Sequence, residues 1–143
     1  MKISRADDGP PQRRRQWRFY RTASGNKPVL DFLTDRRLPD EDAAAIAAGM
    51  TEVRHMGREH RDVNHLRGDI WQIEIDGRSA TYRLLFAEEG RYQQILLALE
   101  MVNKKWQKAK GRHIDLAEQR LADWRERGAR QKVARSPGGP SSR

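Results

Sequence analysis

Two blocks in the middle of the chain alternate large apolar and polar residues with a period of two. From Ile70 to Asp76, Trp71, Ile73 and Ile75 share one face and Gln72, Glu74 and Asp76 the other, the mark of a strand. From Thr81 to Phe86, Tyr82, Leu84 and Phe86 lie on one side and Arg83 opposite. Asp76-Gly77 supplies a turn between the blocks, so a hairpin is predicted. Glu89-Gly90 turns the chain again, and Gln93 to Val102, rich in Ile, Leu and Val, predicts a third consecutive antiparallel strand. Gln16 to Tyr20 alternates in the same way and reads as an earlier, first strand.

Helical spacing fills much of the remainder. Pro28 suits an early helical position, and Val29, Phe32 and Leu33 give a short apolar face ending near Arg37-Leu38. Pro39 followed by Asp40, Glu41 and Asp42 places negative charge at the positive end of a second helix. Ile46, Met50 and Val53 form its buried stripe, and Gly57 stops it. Arg58 to Arg67 is polar and basic without a period, and is expected to be a loop. A last helix is expected from Gly111 to Arg127, with Ile114, Ala117, Leu121 and Trp124 on one face. The order β-α-α-β-β-β-α argues for an antiparallel α+β domain rather than a βαβ repeat.

Composition sets the outer limits. At 143 residues and 36% hydrophobic, the chain supports one modest core. The expected division is a flexible basic arm at 1–15, a folded domain at 16–127 and a flexible tail at 128–143. A net charge of +9 favours a polyanionic partner, nucleic acid before membrane. The longest apolar run, Ile95 to Leu99, is too short to cross a bilayer, and the first residues carry no apolar signal core. A cytoplasmic protein is the expectation. With no cysteine, disulfides, zinc fingers and thiol catalysis drop out.

Three groups could carry chemistry. His55, His60 and His65 recur every five residues, a spacing that local helix or strand geometry does not bring together around a metal. His65 stands as a single acid or base, or as an exposed loop side chain. A basic set, Arg67, Arg78, Arg83, Lys104, Lys105 and Lys108, could gather on the sheet and hold phosphates. Arg83 could instead pair with Glu74 across the hairpin. Trp106, set among lysines, could stack on a base or cover the sheet edge. Paired catalytic carboxylates, a Gly-rich phosphate loop and a Ser/His/Asp arrangement are not recognisable.

The segments His65-Leu66-Arg67-Gly68, Ile70-Trp71-Gln72-Ile73-Glu74, Tyr82-Arg83-Leu84-Leu85-Phe86 and Asn103-Lys104-Lys105-Trp106-Gln107-Lys108 resemble, in order and spacing, the RelE/HigB toxin superfamily. The match is nearest its HigB-like, phage-derived branch. Trp17-Arg18-Phe19-Tyr20-Arg21 resembles that branch's opening strand, and the resemblance spans Gln16 to Arg127. It implies a small antiparallel sheet with helices packed on one side, and a ribosome-dependent mRNA endonuclease of a type II toxin–antitoxin system, cutting in the ribosomal A site by attack of a ribose 2′-oxygen on the adjacent phosphate. No metal or other cofactor is implied. The implied partners are mRNA on the ribosome, a cognate antitoxin of helix-turn-helix type and, as an optional third component, a chaperone.

Carried onto this chain, the resemblance implies Arg83, Lys104 and Lys105 as phosphate-stabilising catalytic residues and His65 as the acid or base. Arg67, Arg78, Lys108 and Trp106 would bind RNA. Many relatives place a basic residue where this chain has Glu74 and Asp76. The competing expectation is therefore a non-catalytic basic module that binds nucleic acid or an antitoxin.

Overall fold

The computed structural model describes residues 15–103 and 110–135. Its elements are β1 (Gln16–Phe19), α1 (Pro28–Leu33), α2 (Asp40–Met56), β2 (Val63–Arg67), β3 (Ile70–Asp76), β4 (Thr81–Glu89), β5 (Ile95–Asn103) and α3 (Lys110–Arg135), with a 3-10 turn at Gly57–Glu59. The strands form one five-stranded sheet in the order β1-β5-β4-β3-β2. The α+β class is therefore as expected, and the arrangement is consistent with a RelE-like fold.

The two central strands explain the layering, because they are apolar on both faces. Tyr82, Leu84, Phe86, Leu96 and Ala98 enter one core with Val29 of α1 and Ile46, Met50 and Val53 of α2. Leu85, Ala87, Leu97, Leu99 and Val102 enter a second core with Ala117 and Leu121 of α3. Leu97 and Leu99 are fully buried, and removing each such side chain from water stabilises by about 1.5–3 kcal/mol. A continuous apolar run is what a strand covered on both sides requires. The expectation of helices on one side is accordingly corrected: α1 and α2 cover one face and α3 the other.

Two further expectations change. Arg58 to Arg67 is not a loop throughout, since β2 occupies Val63–Arg67 and pairs antiparallel with β3. It hides from the period because it is an edge strand: Val63 alone is buried, and a register shift between His65 and Arg67 breaks the alternation. The sheet is also not wholly antiparallel. Helices α1 and α2 carry the chain from β1 to the far edge, and the antiparallel run β2 to β5 returns so that β5 lies parallel to β1.

Other predicted elements stand with modest changes of length. The third strand occupies Ile70–Asp76 as expected, and β4 extends beyond Phe86 to Glu89. Gly57 ends α2 at φ 60° and ψ −141°, a region that disfavours a Cβ. Arg15 donates from Nη1 to the Arg54 and His55 carbonyls, capping the same helix end. Helix α3 runs to Arg135, past the expected end at Arg127. The remainder of both expected terminal segments, 1–14 and 136–143, lies outside the described residues.

Candidate functional site

Sheet register decides which candidate residues can act together. Arg83 pairs with Glu74 on β3 and with Val102 on β5. Directly opposite residues share a face, and Val102 belongs to the α3-side core. Arg83 therefore stands on the α3 face, opposite Tyr82, as its alternation predicted. It is half-buried, and its Nε is buried without a hydrogen-bond partner. Glu74 is its register neighbour on β3. A half-buried guanidinium whose Nε has no bonded partner is a candidate phosphate receptor.

Two residues along β5 from Val102, Glu100 pairs with Leu85 and so shares the Arg83 face. It is the diagonal neighbour of Arg83, a relation that leaves long side chains within reach of each other. A carboxylate in so apolar a strand needs donors. His113 from the start of α3 provides one, with Nδ1 2.6 Å from Glu100 Oε2. Arg120, two turns along α3, provides another from Nη1 to Oε1 at 3.1 Å, and the same Nη1 donates to the Leu99 carbonyl at 2.7 Å. The Glu100 side chain is 13% exposed, with His113 at 21% and Arg120 at 16%, so the trio is sheltered yet within reach of solvent. Sequence reasoning missed this trio because its contacts cross from β5 to α3. The available signal was one acid inside the apolar run Ile95 to Val102.

The remaining sequence candidates disperse. His65 pairs with Trp71, which packs on the α1–α2 core. It thus lies on the face opposite Arg83, its Nε2 2.7 Å from the Gly68 carbonyl and its ring 4.7 Å from that of Trp71. The expected partnership of His65 with Arg83 is corrected on this ground. Arg67 is on the α3 face but binds Asp115 and Glu118, tying β2 to α3. Arg78, in the β3–β4 turn, pairs with Glu41 at 3.0 Å. Both are spoken for by acids. Lys104, Lys105, Trp106 and Lys108 lie outside the described residues; β5 ends at Asn103, immediately before them.

His60 also has a structural assignment. Its Nδ1 accepts from the Asp62 backbone N–H at 3.0 Å, which leaves Nε2 to donate to Glu52 at 2.6 Å. Among the described residues, no group of His, Asp and Glu is set to hold a metal ion. No helix among them is long and apolar enough to cross a membrane.

The α3 face carries a half-buried guanidinium and, on the same face, an imidazole hydrogen-bonded to a carboxylate. That combination suits charge stabilisation and proton transfer at a phosphate. No curated protein matches the chain. The family described as "Phage derived protein Gp49-like (DUF891)" matches residues 35–122, more than half the chain, and it is a family associated with RelE and other toxin-like proteins. The match takes in α2, all strands from β2 to β5 and the part of α3 that carries His113 and Arg120, so the chain belongs to the phage-derived Gp49-like family.

Proposed function

We propose that the chain is the toxin of a type II toxin–antitoxin system, of the HigB-like branch, and that it cleaves mRNA on the ribosome without a metal. The ribose 2′-oxygen attacks the adjacent phosphate, and the bond to the 5′-oxygen breaks. Charge on the five-coordinate phosphorus rises as this happens, and donors fixed in advance stabilise it without reorganising. Arg83 is the observation that carries the reading. Arg67 and Arg78 are engaged by acids, whereas the half-buried Arg83 keeps a buried Nε without a hydrogen-bond partner in mid-strand, on the α3 face of a chain of the Gp49-like family. The family association with toxin-like proteins supports the same reading, as does the net charge of +9. A cognate antitoxin of helix-turn-helix type belongs to this proposal as the partner that silences it.

The test is cleavage by the full chain on ribosomes programmed with a defined mRNA, with the new ends mapped. Cleavage should appear, stop when the attacking 2′-hydroxyl is replaced by hydrogen, and slow by about 100-fold or more in Arg83→Ala. Absence of cleavage by the parent chain, with RNA binding retained, would instead establish the non-catalytic binding module. Wild-type cleavage by a folded Arg83→Ala would remove Arg83 from the site.

A further inference from the structure

Transfer of a 2′-hydroxyl proton needs an acceptor with a free lone pair, and arginine, protonated at neutral pH, does not offer one. The histidines differ in what they can supply. His60 has both ring nitrogens engaged, by Asp62 and Glu52. His65 faces the other side of the sheet and uses Nε2 on Gly68. His113 is different on both counts. It shares the α3 side with Arg83, and its side chain bonds through Nδ1 to Glu100. A carboxylate only accepts, so Nδ1 carries the hydrogen, and in the neutral imidazole the lone pair is then on Nε2.

We propose that His113, oriented by Glu100, is the general base for cleavage at the Arg83 site, an assignment that rests on the mRNA-cleavage reading above. Nε2 takes the proton of the 2′-hydroxyl while the 2′-oxygen bonds to phosphorus and the phosphorus–5′-oxygen bond breaks. The 5′-oxygen takes a proton from water, and the imidazolium returns its proton to the hydroxide left behind. The products are a 2′,3′-cyclic phosphate and a 5′-hydroxyl, with no net change in redox state or proton count. Among the described residues, Glu100 on β5 is bonded to His113 and Arg120 on α3 is bonded to Glu100, and Arg83 on β4 lies on the same face of the sheet. Arg120 is a positioning residue: it holds the second Glu100 oxygen and the Leu99 carbonyl, which fixes where the imidazole is anchored.

Single-turnover cleavage on programmed ribosomes tests this with the full chain and His113→Ala, His113→Gln and Glu100→Gln. His113→Ala should bind ribosomes as the parent does and cleave about 100-fold or more slowly. Added imidazole should restore part of its rate, and none of the rate of Arg83→Ala. Glu100→Gln should lower kcat with little change in KM. His113→Gln, which keeps the bulk of the side chain, serves if alanine disturbs the fold, and it should be as slow. Parent-like cleavage by either folded His113 variant overturns the assignment while leaving the toxin reading intact, as does a slow His113→Ala that imidazole does not rescue. If the parent chain itself cuts nothing, both fall together.

Discussion

Asp42 shows how much one side chain organises. Fully buried in the first turn of α2, it accepts from the Tyr82 hydroxyl at 2.6 Å, the Arg78 N–H at 2.7 Å and the Ser79 N–H at 3.1 Å. A Cβ on Gly77 would meet its Cγ at 2.7 Å, so the turn between β3 and β4 needs glycine there. The Tyr82 hydrogen bond, followed by those from Ser79 and Arg78, holds the Asp42 carboxyl below the ordinary carboxylate range. Burial, then Asp42, pushes the Tyr82 phenol up to about 12. The depressed acid contributes stability that is present above the ordinary carboxylate value and lost as pH falls through its folded value. The raised phenol contributes stability that is complete below its ordinary value of 10.0 and lost as pH rises through about 12. Tyr82→Phe should therefore destabilise the domain at neutral pH by about 1–2 kcal/mol in urea unfolding. It should also flatten the loss of stability at both extremes of pH.

At the scale of elements, the question is what keeps α3 on the sheet. Beyond Ala117 and Leu121, with Ile114 and Trp124 half-buried beside them, the helix is tied by arginines of unequal surroundings. Arg120 is 16% exposed and serves both Glu100 and the Leu99 carbonyl. That carbonyl belongs to a β5 residue at the register shift opposite Leu85 and Phe86. Arg67, by contrast, is 47% exposed where it meets Glu118. Breaking a sheltered pair leaves a carboxylate uncompensated, whereas exposed pairs are worth little. Arg120→Ala should cost about 2–4 kcal/mol and raise amide exchange in α3 and β5 together. Arg67→Ala should cost less than about 1 kcal/mol and leave exchange in β5 unchanged. Equal losses in the two variants would show that α3 is held by its apolar face alone.

At the scale of the whole molecule, under the mRNA-cleavage reading proposed above, charge would govern encounter and the site would govern chemistry. An excess of 29 basic over 20 acidic residues should make ribosome binding fall steeply with salt, as neutralised phosphates release counterions. Arg83→Ala removes one charge of many, so the slope of log affinity against log salt should change by about 1 or less while cleavage collapses. Filter binding across a salt series separates the two. A slope lost in parallel with activity would place most of the binding at this one arginine.

Much of this architecture was legible in local pattern. The period-two blocks located β3 and β4 and set Arg83 opposite Tyr82, because a strand's side chains alternate whatever surrounds it. Gly57 and the acids Asp40 to Asp42 marked both ends of α2 for equally local reasons. Even the run Ile95 to Leu99 carried the information that β5 is covered twice, although not by what. Contacts made across long stretches of chain were another matter. The parallel pairing of β1 with β5, the edge strand β2 and the seat of α3 on the second face depend on where the connections carry the chain. No local period encodes that. The same holds for the candidate site: the face that Arg83 takes was read from its own strand, but His65, grouped with it, lies on the other face, and Glu100, His113 and Arg120 were not connected at all. Alternation by itself determined which side of its strand each residue takes. Only the packing of α3 against the sheet decided which side chains meet there, because that contact is made by closing the chain across the second core.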